Sequence, residues 1–223
     1  MIIASRFNGP ANSANGGYTC GLLAQGLKGA VEVTLRLPPP LDKELEVRDH
    51  KLYYGEKLVA EARETELDLE VPTPPPIGQA RQAGDRYYGL SDHPFPTCFV
   101  CGSARQPGDG LRVFAGPVPG RDLVASVWTP SAELGDAKGK VRSEFLWCAL
   151  DCPGAWSVDQ KMESPRLLGR LTAKIQRTLP VMQPAIVVGW PMGKEGRKAF
   201  AGTAVFDASG GLVASAKAVW IAI

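Results

Sequence analysis

An α+β fold in which one helix-then-strands unit is written twice is the architecture that this 223-residue sequence predicts. Three observations point to it. The run Lys57-Leu58-Val59-Ala60-Glu61-Ala62 is matched by Gly211-Leu212-Val213-Ala214-Ser215-Ala216, so Leu-Val-Ala-x-Ala occurs twice, each time after a reverse-turn signal, Gly55-Glu56 or Gly210-Gly211. Each copy closes a series of β-like segments. Each series follows a helix candidate rich in small residues.

Taken in order, Asn12-Ser13-Ala14-Asn15 is a cap-rich stretch before Gly16-Gly17-Tyr18-Thr19-Cys20-Gly21-Leu22-Leu23-Ala24, whose apolar residues predict a buried helix ended by Gly26 and Gly29. Val31 to Leu37 alternates apolar and polar residues as a half-buried strand does, and Pro38-Pro39-Pro40 stops it. Glu44 to Arg48 repeats the alternation, and Lys51 to Tyr54 and Leu58 to Arg63 flank the Gly55-Glu56 turn, which gives an antiparallel meander. Pro72-Thr73-Pro74-Pro75-Pro76 opens a stretch with little periodicity, so residues 1–76 form a first half, 77–97 an extended connector and 98–223 a second half. The second half offers strands at Leu111 to Ala115 and Leu123 to Trp128, a helix at Phe145 to Ala149, and long strands from Leu171, Ile186, Phe200 and Leu212. Asp207-Ala208-Ser209-Gly210-Gly211 predicts the turn of the last hairpin.

Composition excludes several classes. With 44% hydrophobic residues the chain can bury one large core or two small ones. The net charge of +2 comes from interspersed Lys, Arg, Asp and Glu, with no basic block to track a phosphate backbone, so nucleic acid is not an expected partner. No apolar run reaches the ~20 residues of a membrane span, and Met1 to Arg6 is too soon interrupted for a signal peptide, so the expected location is cytoplasmic. Five cysteines without an even framework read as free thiols. Cys98 and Cys101 have the spacing of half a zinc site, but the other cysteines form no second pair, so no metal is expected; Cys20 and Cys148, related by an offset of 128 residues, read as small core fillers. Of the two histidines, His50 and His93, the second falls in the connector as Ser91-Asp92-His93-Pro94 and reads as a satisfied or solvated loop residue.

Four stretches carry a resemblance. They are Asn15-Gly16-Gly17-Tyr18 at the opening of the first helix, Leu150-Asp151 in the second, the doubled Leu-Val-Ala-x-Ala, and Cys98-Phe99-Val100-Cys101-Gly102 with Gly110-Leu111 downstream. In this order they resemble the hotdog fold, specifically a double hotdog of the acyl-CoA thioesterase superfamily, with a central helix wrapped by a curved antiparallel sheet in each half. The resemblance covers nearly the whole chain. Where single-domain members open the helix with His-Gly-Gly, this chain has Asn15-Gly16-Gly17, and Asp151 stands where phenylacetate-pathway-type thioesterases carry their catalytic Asp.

The same resemblance implies a division of labour. Asp151 lies eight residues after Ser143, and Asn15 eight before Leu23, so the first half has Gly-Gly without the acid and the second has the acid without His-Gly-Gly. One composite site would result, and its pseudo-symmetric counterpart would be dead. In that site the Gly17 and Tyr18 amides at the helix N-terminus would accept the negative charge that thioester hydrolysis puts on the acyl oxygen. Asn15 would orient the carbonyl or a water, and Asp151 would act as general base or as nucleophile. Gly16 would let the backbone approach substrate, Trp147, Trp156 and Tyr18 would line an acyl tunnel, and Arg142, with Lys140, Arg81 and Arg86, would meet coenzyme A phosphates. The plainer roles are a cap or turn for Asp151, an N-cap for Asn15, a packing point for Gly16-Gly17 and core for the tryptophans.

The expected function is hydrolysis of acyl thioesters of coenzyme A or a carrier protein, with coenzyme A as part of the substrate and no separate cofactor. The alternatives are a non-catalytic acyl-thioester binding protein and a 2-enoyl thioester hydratase or dehydratase, which would need an Asp/His pair. Unpaired sheet edges leave room for a homo-oligomer.

Overall fold

In the computed structural model, which describes residues 1–223, Asn15 is extended and its side-chain oxygen accepts the Tyr18 amide, which starts α1 (Gly16–Leu23). The chain then passes Gly26 and Gly29, both at positive φ, into β1 (Ala30–Leu35), which buries Val31 and Val33. β2 (Glu46–Arg48), β3 (Lys51–Tyr54) and β4 (Lys57–Thr65) follow as the predicted meander.

The stretch 77–97 is not an extended connector. It begins with α2 (Ile77–Gly84) and continues into a short 3-10 turn at Tyr88–Leu90. Ala80 and Ala83, one turn apart, are fully buried against the sheet, and the helix is only eight residues long and directly follows the proline run. Leu111 to Ala115 is likewise not a strand, because Arg112 sits at positive φ and interrupts it; the segment hydrogen-bonds through Leu111 and Val113 to the carbonyls of Phe99 and Val100. β5 (Gly116–Pro117) and β6 (Val124–Trp128) come next.

The second helix is two helices, α3 (Ser143–Ala149) and α4 (Cys152–Val158), with Asp151 at the joint. Pro153 lacks the N–H that would continue the first helix, and it occupies the second position of α4, where no such donor is needed. β7 (Arg166–Ile175), β8 (Ala185–Glu195), β9 (Lys198–Asp207) and β10 (Leu212–Ala222) complete the chain, with β7 beginning five residues before the predicted Leu171.

All ten strands form one antiparallel sheet in the order β2-β3-β4-β1-β7-β10-β9-β8-β6-β5. Outward from the β1–β7 junction the strands run β1, β4, β3, β2 on one side and β7, β10, β9, β8 on the other, so β4 and β10, which hold the repeated run, occupy matching places. Strand alternation divides the sheet into two faces. One, with Val187 and Val205, packs with α1, α3 and α4 into the main core; the other, with Ile186, Val188, Ala204 and Phe206, is covered by α2.

α1 and α3 lie against each other because glycines remove the side chains between them. A Cβ at Gly21 would stand 2.6 Å from Glu144 Cα, and one at Gly17 would stand 2.7 Å from both the Trp147 carbonyl oxygen and Asp151 Cβ. That close approach brings the two helix ends of the site together.

Candidate active site

Asn15 reaches the site from a closed turn. Its amide donates to the Phe7 carbonyl (2.8 Å), and Asn8 and Ala14 bridge the intervening loop. Its side chain is used at both ends: Oδ1 accepts the Tyr18 amide (2.9 Å) while Nδ2 donates to Asp151 Oδ2 (2.8 Å). The same Oδ2 accepts the Gly17 amide at 2.9 Å. One side chain therefore both caps α1 and holds Asp151, and the two residues that the resemblance implies share a composite site are in contact.

Asp151 is held in place from the sheet side as well. Thr203 of β9, fully buried, donates its hydroxyl to the Leu150 carbonyl at 2.7 Å and pins the α3–α4 joint. This contact has no local signature, since threonine is common inside strands and its partner lies 53 residues away. With only 2% of its surface exposed, the Asp151 carboxyl is pushed up to about 7 by burial, against the opposing pull of the Gly17 amide and Asn15. Its Oδ1 is buried and has no hydrogen-bond partner.

These donors alter the predicted oxyanion hole. The Gly17 and Tyr18 amides are already engaged, by Asp151 and Asn15, and neither residue lines the adjoining cavity. Gly16 does line it, and its amide makes no hydrogen bond within the protein, so the helix end still presents one donor.

The cavity has a volume of about 210 Å³, and Asn15, Gly16 and Asp151 open onto it. Leu35, Leu37, Phe95, Trp156, Met162 and Leu168 provide much of its apolar wall. All three buried side-chain polar atoms without partners, Asp151 Oδ1, Arg166 Nε and Trp220 Nε1, belong to residues that line it. Of the residues expected to contact substrate, Gly16 and Trp156 line this cavity. Trp147 is core, Tyr18 stacks on Phe7 with ring centroids 4.1 Å apart, and Arg142 lies over the Phe145 ring outside the cavity. Lys140, Arg81 and Arg86 also lie elsewhere; the cations that line the cavity are Arg36 and Arg166.

His93 lines the cavity too, but both of its nitrogens are occupied. Nδ1 accepts the Phe95 amide (2.9 Å), which leaves the proton on Nε2 to donate to the Cys101 carbonyl (3.1 Å), and burial lowers its pKa. A neutral histidine held in this way offers no free base to pair with Asp151. Cys98, Cys101 and Cys152 share the same wall, with their Sγ atoms all within 4.8 Å of one another. Cys20 and Cys148 are fully buried, as expected of core fillers.

No family model and no curated protein matches the chain. Solved structures do. A putative thioesterase from Novosphingobium aromaticivorans aligns over 100% of this chain and 94% of its own at 12% identity, with a TM-score of 0.65. The tesB protein of Mycobacterium avium subs paratuberculosis aligns over 96% and 89% at 12% identity, with a TM-score of 0.60. A conserved protein of unknown function with a hot dog fold from Alicyclobacillus acidocaldarius aligns over 98% and 90% at 13% identity, with a TM-score of 0.59. With one large antiparallel sheet packed against short helices, these whole-length likenesses give the chain the hotdog fold found in thioesterase structures.

Proposed function

We propose that the chain is a double hotdog that hydrolyses acyl thioesters at one composite site, with the helix N-terminus supplied by residues 1–76 and the acid by residues 98–223. The observation that carries this reading is the buried Asp151 carboxylate, held from across the α1–α3 contact by Asn15 Nδ2 and the Gly17 amide. The matching strand order on the two sides of the β1–β7 junction supports duplication. At the pseudo-symmetric position the acid is replaced by Leu23, which is buried, and that second site is inert.

Asn15 and Gly17 fix Oδ2, so Oδ1 is the atom left to act. It takes a proton from water as the water oxygen bonds to the acyl carbon. Negative charge then forms on the acyl oxygen, where the unengaged Gly16 amide and the positive end of α1 stabilise it. The carbon–sulfur bond breaks as the carbonyl re-forms, and the departing sulfur receives the proton. The acyl group occupies the apolar wall, while Arg36 and Arg166 are placed to meet phosphates of coenzyme A or of a carrier protein's phosphopantetheine arm.

A panel of short, long, branched and aromatic acyl-CoAs, assayed for free-thiol release, tests the proposal. Turnover of at least one member is expected. Release of no thiol from any member, with tight binding retained, would instead make the protein an acyl-thioester binder.

A further inference from the structure

Three cysteines from two distant segments converge on one wall of the cavity, and the thioesterase reading uses none of them. Cys98 and Cys101 lie in a tight turn closed by the Gly102 amide on the Cys98 carbonyl (2.9 Å), and a Cβ at Gly102 would stand 2.5 Å from that same oxygen. Cys152 arrives from the first position of α4, one residue after Asp151. The Cys98 and Cys152 sulfurs are 3.7 Å apart, and all three lie within 4.8 Å of one another, buried.

That spacing matches a metal rather than a disulfide. Thiolates about 2.3 Å from a tetrahedral zinc stand roughly 3.8 Å from each other, whereas a disulfide requires about 2.05 Å. A polar neighbour is already present, since Asn15 Nδ2 approaches Cys98 Sγ at 3.9 Å. Ionising all three of these buried thiols without a counter-charge would be costly, and a divalent cation removes that cost.

We infer that Cys98, Cys101 and Cys152 form a zinc site whose fourth coordination position faces the cavity shared with Asp151. The expectation of no metal is thereby revised: the CxxC pair lacks a second pair in sequence, but the fold brings it a third ligand. Three protein ligands and an open fourth position are the arrangement in which zinc meets an exogenous oxygen or sulfur, here water or the substrate's thioester. Binding releases the thiol protons to solvent, and no oxidation or reduction is involved. The site does not depend on the thioesterase reading, because metal binding is measured without turnover.

The test is metal content of the full chain, purified reduced and supplied with zinc, and the absorption spectrum after cobalt is supplied instead. One zinc per chain is expected, together with an intense thiolate-to-cobalt charge-transfer band of three-thiolate strength and a rise in melting temperature on loading. Cys152→Ser should reduce affinity at least about 100-fold, as loss of one ligand does when even outer-shell changes cost 10–100-fold. Should that variant fail to fold, the wild-type cobalt spectrum decides alone. Zinc well below one per chain, a cobalt spectrum without thiolate charge transfer, or a Cys98–Cys152 disulfide in protein prepared without reductant and unable to take up metal after reduction would each overturn the inference.

Discussion

Asp151→Asn is expected to give a folded protein that has lost roughly 10³-fold in acyl-thioester turnover, the scale of removing a general base, and yet is more stable than the parent at pH 8. The carboxyl's folded value of about 7 lies above its ordinary 3.8. Its contribution to stability is therefore fully present below 3.8 and is lost as pH rises through 7, because the ionised form is penalised only in the folded state. A shift of that size corresponds to about 4 kcal/mol above pH 7. Asparagine keeps an oxygen to accept from Asn15 and Gly17, but it places an NH2 where Oδ1 has no partner, and burying that donor costs about 1–3 kcal/mol. The remainder is a gain of about 2 kcal/mol at pH 8 that shrinks as pH falls toward 5, read by denaturant unfolding of both proteins across that range. Equal stability at every pH would mean that the carboxyl is not held in a desolvating site.

Gly17→Ala is the second large effect, and it acts in the opposite direction on stability. The new Cβ would lie 2.7 Å from Asp151 Cβ and from the Trp147 carbonyl oxygen, and 3.1 Å from Cys148 Cα, so two of the three nearest atoms are backbone that cannot swing aside. α1 and α3 must separate, which costs about 2–3 kcal/mol by the usual penalty for overpacking. The separation also lengthens the Gly17 amide bond to Asp151 Oδ2, and a displacement of this kind at a catalytic group is worth about 100-fold in kcat/KM. Denaturant unfolding and thiol release, measured where the variant is still folded, read the two losses separately. A variant as stable as wild type would show that the helices are not in the contact described.

Much of this was legible in the sequence because local patterns encode local structure. The doubled Leu-Val-Ala-x-Ala marks strands in matching places, strict alternation marks β1, and the resemblance implied by Asn15-Gly16-Gly17 and Asp151 places those residues in one site. What escaped has two physical sources. α2 is eight residues long, rests on the small side chains of Ala80 and Ala83 and starts directly after Pro72 to Pro76, so its short pattern was overshadowed by the proline run. The remaining misses are long-range: the hydroxyl of Thr203 on the Leu150 carbonyl, the meeting of Cys152 with Cys98 across 54 residues, and the engagement of the Gly17 and Tyr18 amides by the side chains they face. Helix-end amides are free by geometry, but whether they remain free depends on what packs against them.

The central claim is that one buried carboxylate, assembled from both halves, performs the hydrolysis, and the pH dependence of kcat/KM for an acyl-CoA substrate tests it most directly. In the proposed mechanism the ionised form of Asp151 is the active one, so kcat/KM should climb as pH rises, pass its midpoint near 7 and level off above it, with a single ionisation. A profile that is flat through 7, or that rises only in the alkaline range of free hydroxide, would contradict the claim and remove Asp151 from the chemistry.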